Sequence, residues 1–242
     1  MQAEFLIPDW PAPSSVRALQ TTRRGGVSEA PWASLNLGDH VGDAMRHVIA
    51  NRQLVRAHLP AEPVWLQQVH DTAVQILPAT SENRVADAAC TRVPGQVCVV
   101  MTADCLPILL CDRHGTVVAA VHAGWRGLCA GVLESAVAAM AAPGEALMAW
   151  LGPAIGQRAF EVGPEVRQAF VLQEASAAQA FVPGSGDRWL ADLYMLARQR
   201  LQRLGVNAIY GGQRCTYTEA DQFFSYRRDG QTGRMASLIW IE

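Results

Sequence analysis

The sequence predicts an α/β (α+β-like) fold: a single domain over residues 1–242, with a mixed β-sheet core and packed helices. Three observations carry this expectation. Short β-rich runs outnumber helical ones. They do not alternate with helices in regular βαβ order. No stretch of the 242 residues is long or polar enough to be a linker. A chain of this length buries roughly 70–75% of its unfolded surface, so it needs neither disulfides nor a structural metal to fold.

Along the chain, residues 8–15 (Pro8-Asp9-Trp10-Pro11-Ala12-Pro13-Ser14-Ser15) read as an irregular lead-in. Arg17 to Thr22 is a predicted strand ending at the turn-rich Arg23-Arg24-Gly25-Gly26. Residues 44–58 place Met45, Val48, Ile49, Leu54 and Val55 among Arg and Asn, a helical face. The period then changes: Val64 to Val69, Val97 to Thr102, Leu106 to Cys111 and Thr116 to Val121 are predicted strands. Gly127 to Ala142 is Ala-rich, with Leu133, Val137 and Met140 on one face, and reads as one buried helix stopped by Pro143-Gly144. Leu147 to Leu151 is a strand, Glu165–Leu172 and Leu190–Leu204 are helices, and Ile209-Tyr210 and Ser237–Ile241 have strand character.

Composition excludes several functions. With 20 basic and 22 acidic groups, net −2, the chain is no phosphate-neutralising nucleic-acid binder and carries no polybasic membrane anchor. Every basic residue is Arg. The absence of Lys rules out a Walker-A loop, a pyridoxal or aldolase-type Schiff base and a kinase-type lysine. Met1 to Trp10 lacks a basic region and an apolar core, so no signal peptide is expected there. No apolar run is long enough to span a membrane. Six cysteines without a C-x-x-C pair are neither a disulfide framework nor a zinc-finger set, which leads us to expect a reducing, cytoplasmic setting.

The chemistry concentrates between Trp65 and Gly127. His70, Cys105 and His122 all fall at predicted strand ends. If the turn Asp112-Arg113-His114-Gly115 closes a hairpin with Cys111 facing Thr116, Cys105 and His122 become direct cross-strand neighbours on one face, about 5 Å apart at Cβ. Pro107 cannot donate to a ladder, so that end must be an edge or a bulge. A lone strand Cys is usually core, and a lone His is usually a satisfied interior residue. Asp104 before Cys105, and Ala123-Gly124-Trp125-Arg126-Gly127 after His122, change that balance, because small residues admit a ligand close to the backbone. His40, His47, His58 and His114 are expected to be surface or structural. Cys90, Cys98, Cys111, Cys129 and Cys215 are expected in the core.

These motifs make the chain recognisable. It resembles the family called multicopper polyphenol oxidoreductase (laccase-like), peptidoglycan editing factor, or laccase-domain purine nucleoside phosphorylase. The resemblance runs through Thr22-Arg23-Arg24-Gly25-Gly26-Val27-Ser28, Ser34-Leu35-Asn36-Leu37-Gly38, Gln68-Val69-His70, Ala86-Asp87-Ala88, Thr102-Ala103-Asp104-Cys105-Leu106-Pro107 and His122-Ala123-Gly124-Trp125-Arg126-Gly127. It continues through Gly152-Pro153-Ala154-Ile155-Gly156, Phe160-Glu161-Val162 and Phe223-Phe224-Ser225-Tyr226-Arg227-Arg228-Asp229. It implies an α/β fold that is cysteine-hydrolase-like, a zinc site, phosphorolysis of purine nucleosides (adenosine, inosine, methylthioadenosine) and adenosine deamination. His70, Cys105 and His122 carry both metal and catalysis in that reading.

Two imidazoles and a thiolate fill three corners of a tetrahedron and leave the fourth open, as in catalytic zinc sites. Without Lys, phosphate is expected on Arg24 and Arg126, both beside glycines, with Asn36 as a further substrate-binding residue. The H-x-E deaminase signature is absent, so deamination would need another acid–base group, Asp104 or Asp87. A copper oxidase is the second reading: the triad could supply a His₂Cys copper site, but a trinuclear cluster would need more imidazoles than the scattered remainder offers. The third is a metal-free cysteine hydrolase acting on cell-wall precursors, with Cys105 as nucleophile, His122 as base and His70 or Asp104 orienting it. The expected partners are a small-molecule nucleoside and phosphate, with no nucleic acid, membrane or inferable protein partner.

Overall fold

The computed structural model describes residues 3–242. Strands β1 (Phe5–Leu6) and β2 (Val16–Thr21) precede helix α1 (Met45–Arg56). Five strands follow: β3 (Val74–Leu77), β4 (Ala88–Thr91), β5 (Val97–Thr102), β6 (Leu106–Asp112) and β7 (Val118–Ala123). Helices α2 (Trp125–Ala130) and α3 (Val132–Met140) lead to β8 (Leu147–Leu151) and β9 (Glu161–Val162). Then come α4 (Pro164–Gln173), β10 (Phe181–Pro183), β11 (Trp189–Ala191), α5 (Leu193–Arg203), β12 (Ala208–Gly211), α6 (Tyr226–Asp229) and β13 (Met235–Ile241).

The strands form three sheets. One is six-stranded and mixed, in the order β12-β8-β6-β7-β4-β3, with its two outer pairs parallel and the rest antiparallel. The second is antiparallel, in the order β1-β2-β13-β5. The third is a small antiparallel sheet, β10-β11-β9. The result is a mixed α/β chain, as the sequence predicts.

Side-chain alternation explains how the two larger sheets stack. On β5, Cys98 and Val100 point inward with Ile239 and Ile241 of β13, meeting Leu109, Cys111, Val118 and Ala120 of the six-stranded sheet. The intervening Val97, Val99 and Met101 face the other way and pack with Leu238, Trp240 and Val55 of α1. On the far face of the six-stranded sheet, Leu106, Ile108, Leu110 and Val121 meet Leu133, Val137 and Met140 of α3 and Leu201 of α5. The period of two thus sorts each strand between two apolar layers. Each large side chain buried in them contributes roughly 1.5–3 kcal/mol relative to exposure.

Three expectations are corrected. The predicted strand Val64–Val69 is a loop with one bridge, Gln67 to Val85. The single helix expected over 127–142 is two, broken at Gly131, whose φ of 110° only glycine adopts without strain. The β6–β7 hairpin is two residues longer than expected, with Cys111 facing Val118 and Pro107 facing His122. Asp112 causes this. Its carboxylate accepts from the Thr116 and Val117 amides (2.6 and 3.1 Å) and from the Thr116 hydroxyl (2.8 Å), holding both residues in the turn. A shift of two keeps every side chain on its expected face. Cys105 and His122 therefore share a face but sit diagonally rather than opposite. The edge or bulge expected at Pro107 is absent: β6 is interior, Pro107 stands in register opposite His122, and its carbonyl accepts from Gly152 N at 2.9 Å.

Candidate functional site

His122 belongs to the face of β7 that carries Val118 and Ala120, so it lies where the layer between the two large sheets runs out. Polar groups at that depth need partners. The imidazole is 3% exposed and donates from Nδ1 to Asp87 Oδ1 at 2.7 Å, while its backbone N–H donates to the Asp87 carbonyl at 2.7 Å.

Asp87 is fully buried just before β4 and does more than orient His122. Its carboxylate also accepts from three successive amides, Val69 (3.1 Å), His70 (2.9 Å) and Asp71 (2.8 Å). Those bonds hold His70 in a left-handed conformation, φ 64°, that a histidine adopts only at a cost. Gln68 fixes the same loop from the other side, exchanging two 2.8 Å bonds with the Met101 backbone. The side chain of His70 consequently projects over Cys105, with its Nε2 3.7 Å from Sγ, and packs edge-on against the His122 ring at 4.8 Å.

Cys105 follows Asp104, whose φ is 92°. Asp104 is anchored across the chain: it accepts from the Thr216 hydroxyl (2.6 Å) and the Arg227 amide (2.7 Å). Gly124 lies under the cluster. A Cβ there would stand 2.7 Å from His70 Cδ2 and 3.1 Å from Cys105 Sγ, so only glycine lets the two donors approach.

The donor atoms of His70, Cys105 and His122 lie within 4.8 Å of one another. They are the one group of three or more His, Cys, Asp or Glu side chains among the described residues arranged to hold a metal ion. Tetrahedral zinc with its usual bond lengths would separate sulfur and nitrogen ligands by about 3.6 Å. The donor set fits that metal, and a soft thiolate with two imidazoles suits copper as well. The Asp87 bond occupies His122 Nδ1 and leaves Nε2 for the centre, the usual support for a metal-bound imidazole.

Electrostatics single out the same thiol. Burial opposes ionisation of Cys105, but His122 and then His70 outweigh it and bring the thiol down to about 6. Burial likewise works against His122 as a cation, and Cys105 and Asp87 overcome it, raising the imidazole to about 9. Burial pushes Cys90 up to about 11 and Cys111 up to about 12, and raises Cys98 and Cys129. Cys215 departs from the core expectation: it is half-buried and accepts from Gly156 N at 3.2 Å.

The centre opens into a cavity of about 990 Å³, lined by Arg52, Trp65, Phe160, Tyr226 and Arg234 among others. The structure does not bring Arg24, Arg126 or Asn36 to this cavity. Arg24 donates to the Asp221 carbonyl at 2.7 Å and faces Glu4 at 3.7 Å. Arg126 is exposed with its guanidinium over Trp125, because entry into α2 turns it away from the triad. Asn36 is fully buried and spends its side chain on Gly38, Asp43 and the Arg234 amide. Of the four remaining histidines, His40 lines the cavity, while His47 and His58 lie against Asp43 and Phe5. Sequence reasoning missed Arg234 and Trp65, whose only signals are an arginine after a glycine and an aromatic five residues before His70.

The chain belongs to the multi-copper polyphenol oxidoreductase laccase family, whose model matches residues 17–242. It is 57% identical over 244 residues to purine nucleoside phosphorylase YfiH of Escherichia coli (strain K12), covering 99% of both chains. It is 55% identical over 239 residues to a purine nucleoside phosphorylase of Pseudomonas aeruginosa, covering 98% of both. Among solved structures, a Neisseria meningitidis protein of the DUF152 family superposes with a TM-score of 0.94 at 52% identity, over 98% of this chain and 99% of that one. YlmD of Geobacillus stearothermophilus superposes at 0.86 with 29% identity, over 98% and 96%. No helix among the described residues is long and apolar enough to cross a membrane.

Proposed function

We propose that this chain is a zinc-dependent purine nucleoside phosphorylase, with adenosine, inosine and methylthioadenosine as substrates and with adenosine deaminase activity at the same centre. The observation that carries the reading is the meeting of the His70, Cys105 and His122 donor atoms within 4.8 Å in a nucleoside-sized cavity. The Escherichia coli and Pseudomonas aeruginosa relatives, both named purine nucleoside phosphorylases, support it.

The residues divide the work. Cys105, held as a thiolate by the two imidazoles, brings negative charge to the centre. His122 is oriented by Asp87 and presents Nε2, while His70 closes the third side from a loop fixed by the same carboxylate. Trp65, backed by the Arg52 guanidinium 4.2 Å from its ring, gives the cavity an aromatic wall suited to a flat base. Zinc bound here would polarise a substrate oxygen or acidify a water.

Metal analysis of purified protein, followed by assay of adenosine with and without phosphate, tests this. Base release that rises and saturates with phosphate, from protein holding about one zinc per chain, is the expected result. Ammonia release should need no phosphate, and both activities should vanish together in His122→Ala. Base release independent of phosphate would overturn phosphorolysis.

One observation favours a second reading, a cysteine hydrolase: the lowered Cys105 thiol, His122 and Asp87 stand in the order nucleophile, base and orienting acid. Full activity in metal-stripped protein, on an amide or peptide precursor rather than a nucleoside, would select it. Copper-dependent phenol oxidation would need the same three ligands and would show as activity gained on copper loading.

A further inference from the structure

Four arginines line the cavity, and they differ in how far the protein already satisfies them. Arg52 is engaged by an ion pair: Nε donates to the Leu37 carbonyl at 3.0 Å, its plane covers Trp65, and its buried Nη2 makes no hydrogen bond but lies 3.2 Å from the Asp39 carboxylate. Arg84 donates to the Ser81 carbonyl at 2.7 Å, within its own loop. Arg227 is exposed, with Nη1 on the Glu161 carbonyl at 2.8 Å and its guanidinium over Phe160.

Arg234 is different. Like Arg84 and Arg227 it takes part in no salt bridge among the described residues, but it is half-buried where Arg227 is exposed, and its stem is packed where that of Arg84 lies in its own loop. Its Nη1 spans the Thr232 and Gly233 carbonyls, 3.1 Å from each, and no described residue accepts from its Nε or Nη2. The residue is also held from behind. Its amide donates to Asn36 Oδ1 at 2.9 Å and its carbonyl accepts from Leu37 N at 3.1 Å. Gly38 packs flush on its stem, where a Cβ would stand 2.8 Å from Arg234 Cγ. Burial disfavours its charge, and Cys105, Asp104 and Tyr226 offset this only in part.

A fixed guanidinium with a free Nε–Nη2 edge presents two parallel donors, the pattern that matches two oxygens of a tetrahedral oxyanion. A partly desolvated cation with no carboxylate in salt-bridge contact also gains from an incoming anion. We infer that Arg234 grips inorganic phosphate beside the His70–Cys105–His122 centre, and that Asn36 is a positioning residue acting through it. The inference rests on the phosphorolysis reading above. In that reaction a phosphate oxygen forms a bond to ribose C1′ as the C1′–N bond to the base breaks. The bonding pair leaves on the base nitrogen, which takes the proton given up by the phosphate monoanion, so free base and ribose 1-phosphate result.

The test uses metal-loaded wild type, Arg234→Gln, Arg234→Lys and, as a control in an exposed loop, Arg188→Gln. Steady-state kinetics with phosphate and nucleoside varied in turn should show the phosphate KM rising about 10- to 100-fold in Arg234→Gln. The nucleoside KM should stay within about twofold, and Arg234→Lys should fall between wild type and Arg234→Gln. An unchanged phosphate KM in folded Arg234→Lys and Arg234→Gln, or an equal rise in nucleoside KM, overturns the assignment. Calorimetric titration with inorganic phosphate alone separates this inference from the reading it rests on. If wild type releases base without phosphate, phosphorolysis falls, and the titration still decides Arg234. Phosphate binding that weakens in the variants upholds it as an anion site. Equal binding, or none in wild type, overturns it.

Discussion

His122 and Asp87 are joined twice, side chain to side chain and backbone to backbone, at 2.7 Å in each case. The same carboxylate gathers the amides of residues 69–71. One buried acid therefore sets the position of both histidines, although they come from different parts of the chain.

Replacing that acid should damage both arms together. Asp87→Asn keeps the shape but weakens the charge-assisted bonds, so metal affinity and turnover should each fall about 10- to 100-fold. Metal titration and steady-state assay check this. Unchanged metal affinity would mean that Asp87 serves folding alone.

The thiols should separate cleanly. Cys105→Ala removes one of three candidate ligands and should abolish turnover and metal retention. Cys129→Ala trims a small buried side chain beneath α4, costs on the order of 1 kcal/mol of stability and leaves activity intact. Denaturant melts and activity assays on both variants suffice to check it.

Gly124→Ala is a steric probe of the centre. The added methyl must push on His70 and Cys105, with 2.7 and 3.1 Å available. Displacement approaching 1 Å costs on the order of 10²-fold in rate. The melting temperature should move by only a few degrees, because the clash falls on a half-exposed cluster rather than the core.

Asp112 gives the hairpin a pH dependence. Burial works against its charge, but bonds from Thr116, Val117 and His114 overcome this and hold the carboxyl below its usual range. A depressed folded-state value means that its stabilisation is complete above the unfolded value of about 3.9 and is lost as pH falls through the folded one. Asp112→Asn should cost about 1–3 kcal/mol at pH 7 and make the acid limb of the stability curve shallower. Urea melts between pH 7 and pH 3 measure both effects.

The sequence made most strands legible, because β5, β6, β8 and β13 are β-rich runs bounded by turn residues. It also marked His70, Cys105 and His122, since each stands where an apolar run meets small or acidic residues. The hairpin register escaped because it depends on Asp112 reaching four and five residues ahead, a local side-chain bond that strand periodicity does not encode. Gly131 escaped for a related reason: within an Ala-rich run its composition reads as continuous helix, and only a positive φ reveals the break. The cationic side of the cavity was read from glycine neighbours, which pointed to Arg24 and Arg126. Arg234 is brought there by pairing with residue 36, 198 positions away. Arg234 also follows a glycine, Gly233, so that cue alone cannot tell it from Arg24 or Arg126.

The interior place of β13 has a consequence for biogenesis. It follows every other strand in sequence, yet it lies between β2 and β5 and takes part in two of the three ladders of the second sheet. Until residues 235–241 are free to pair, β5 has no partner and β2 has only the short β1, so the edges that face β13 keep their amides and carbonyls open to foreign strands. At synthesis rates of about 5–20 residues per second, the nascent chain spends seconds in that exposed state. Arg234, one residue before this strand, reaches the cavity only when the strand locks in. Proteolytic protection and binding of a phosphate probe should therefore be acquired together in one late step, when β13 pairs.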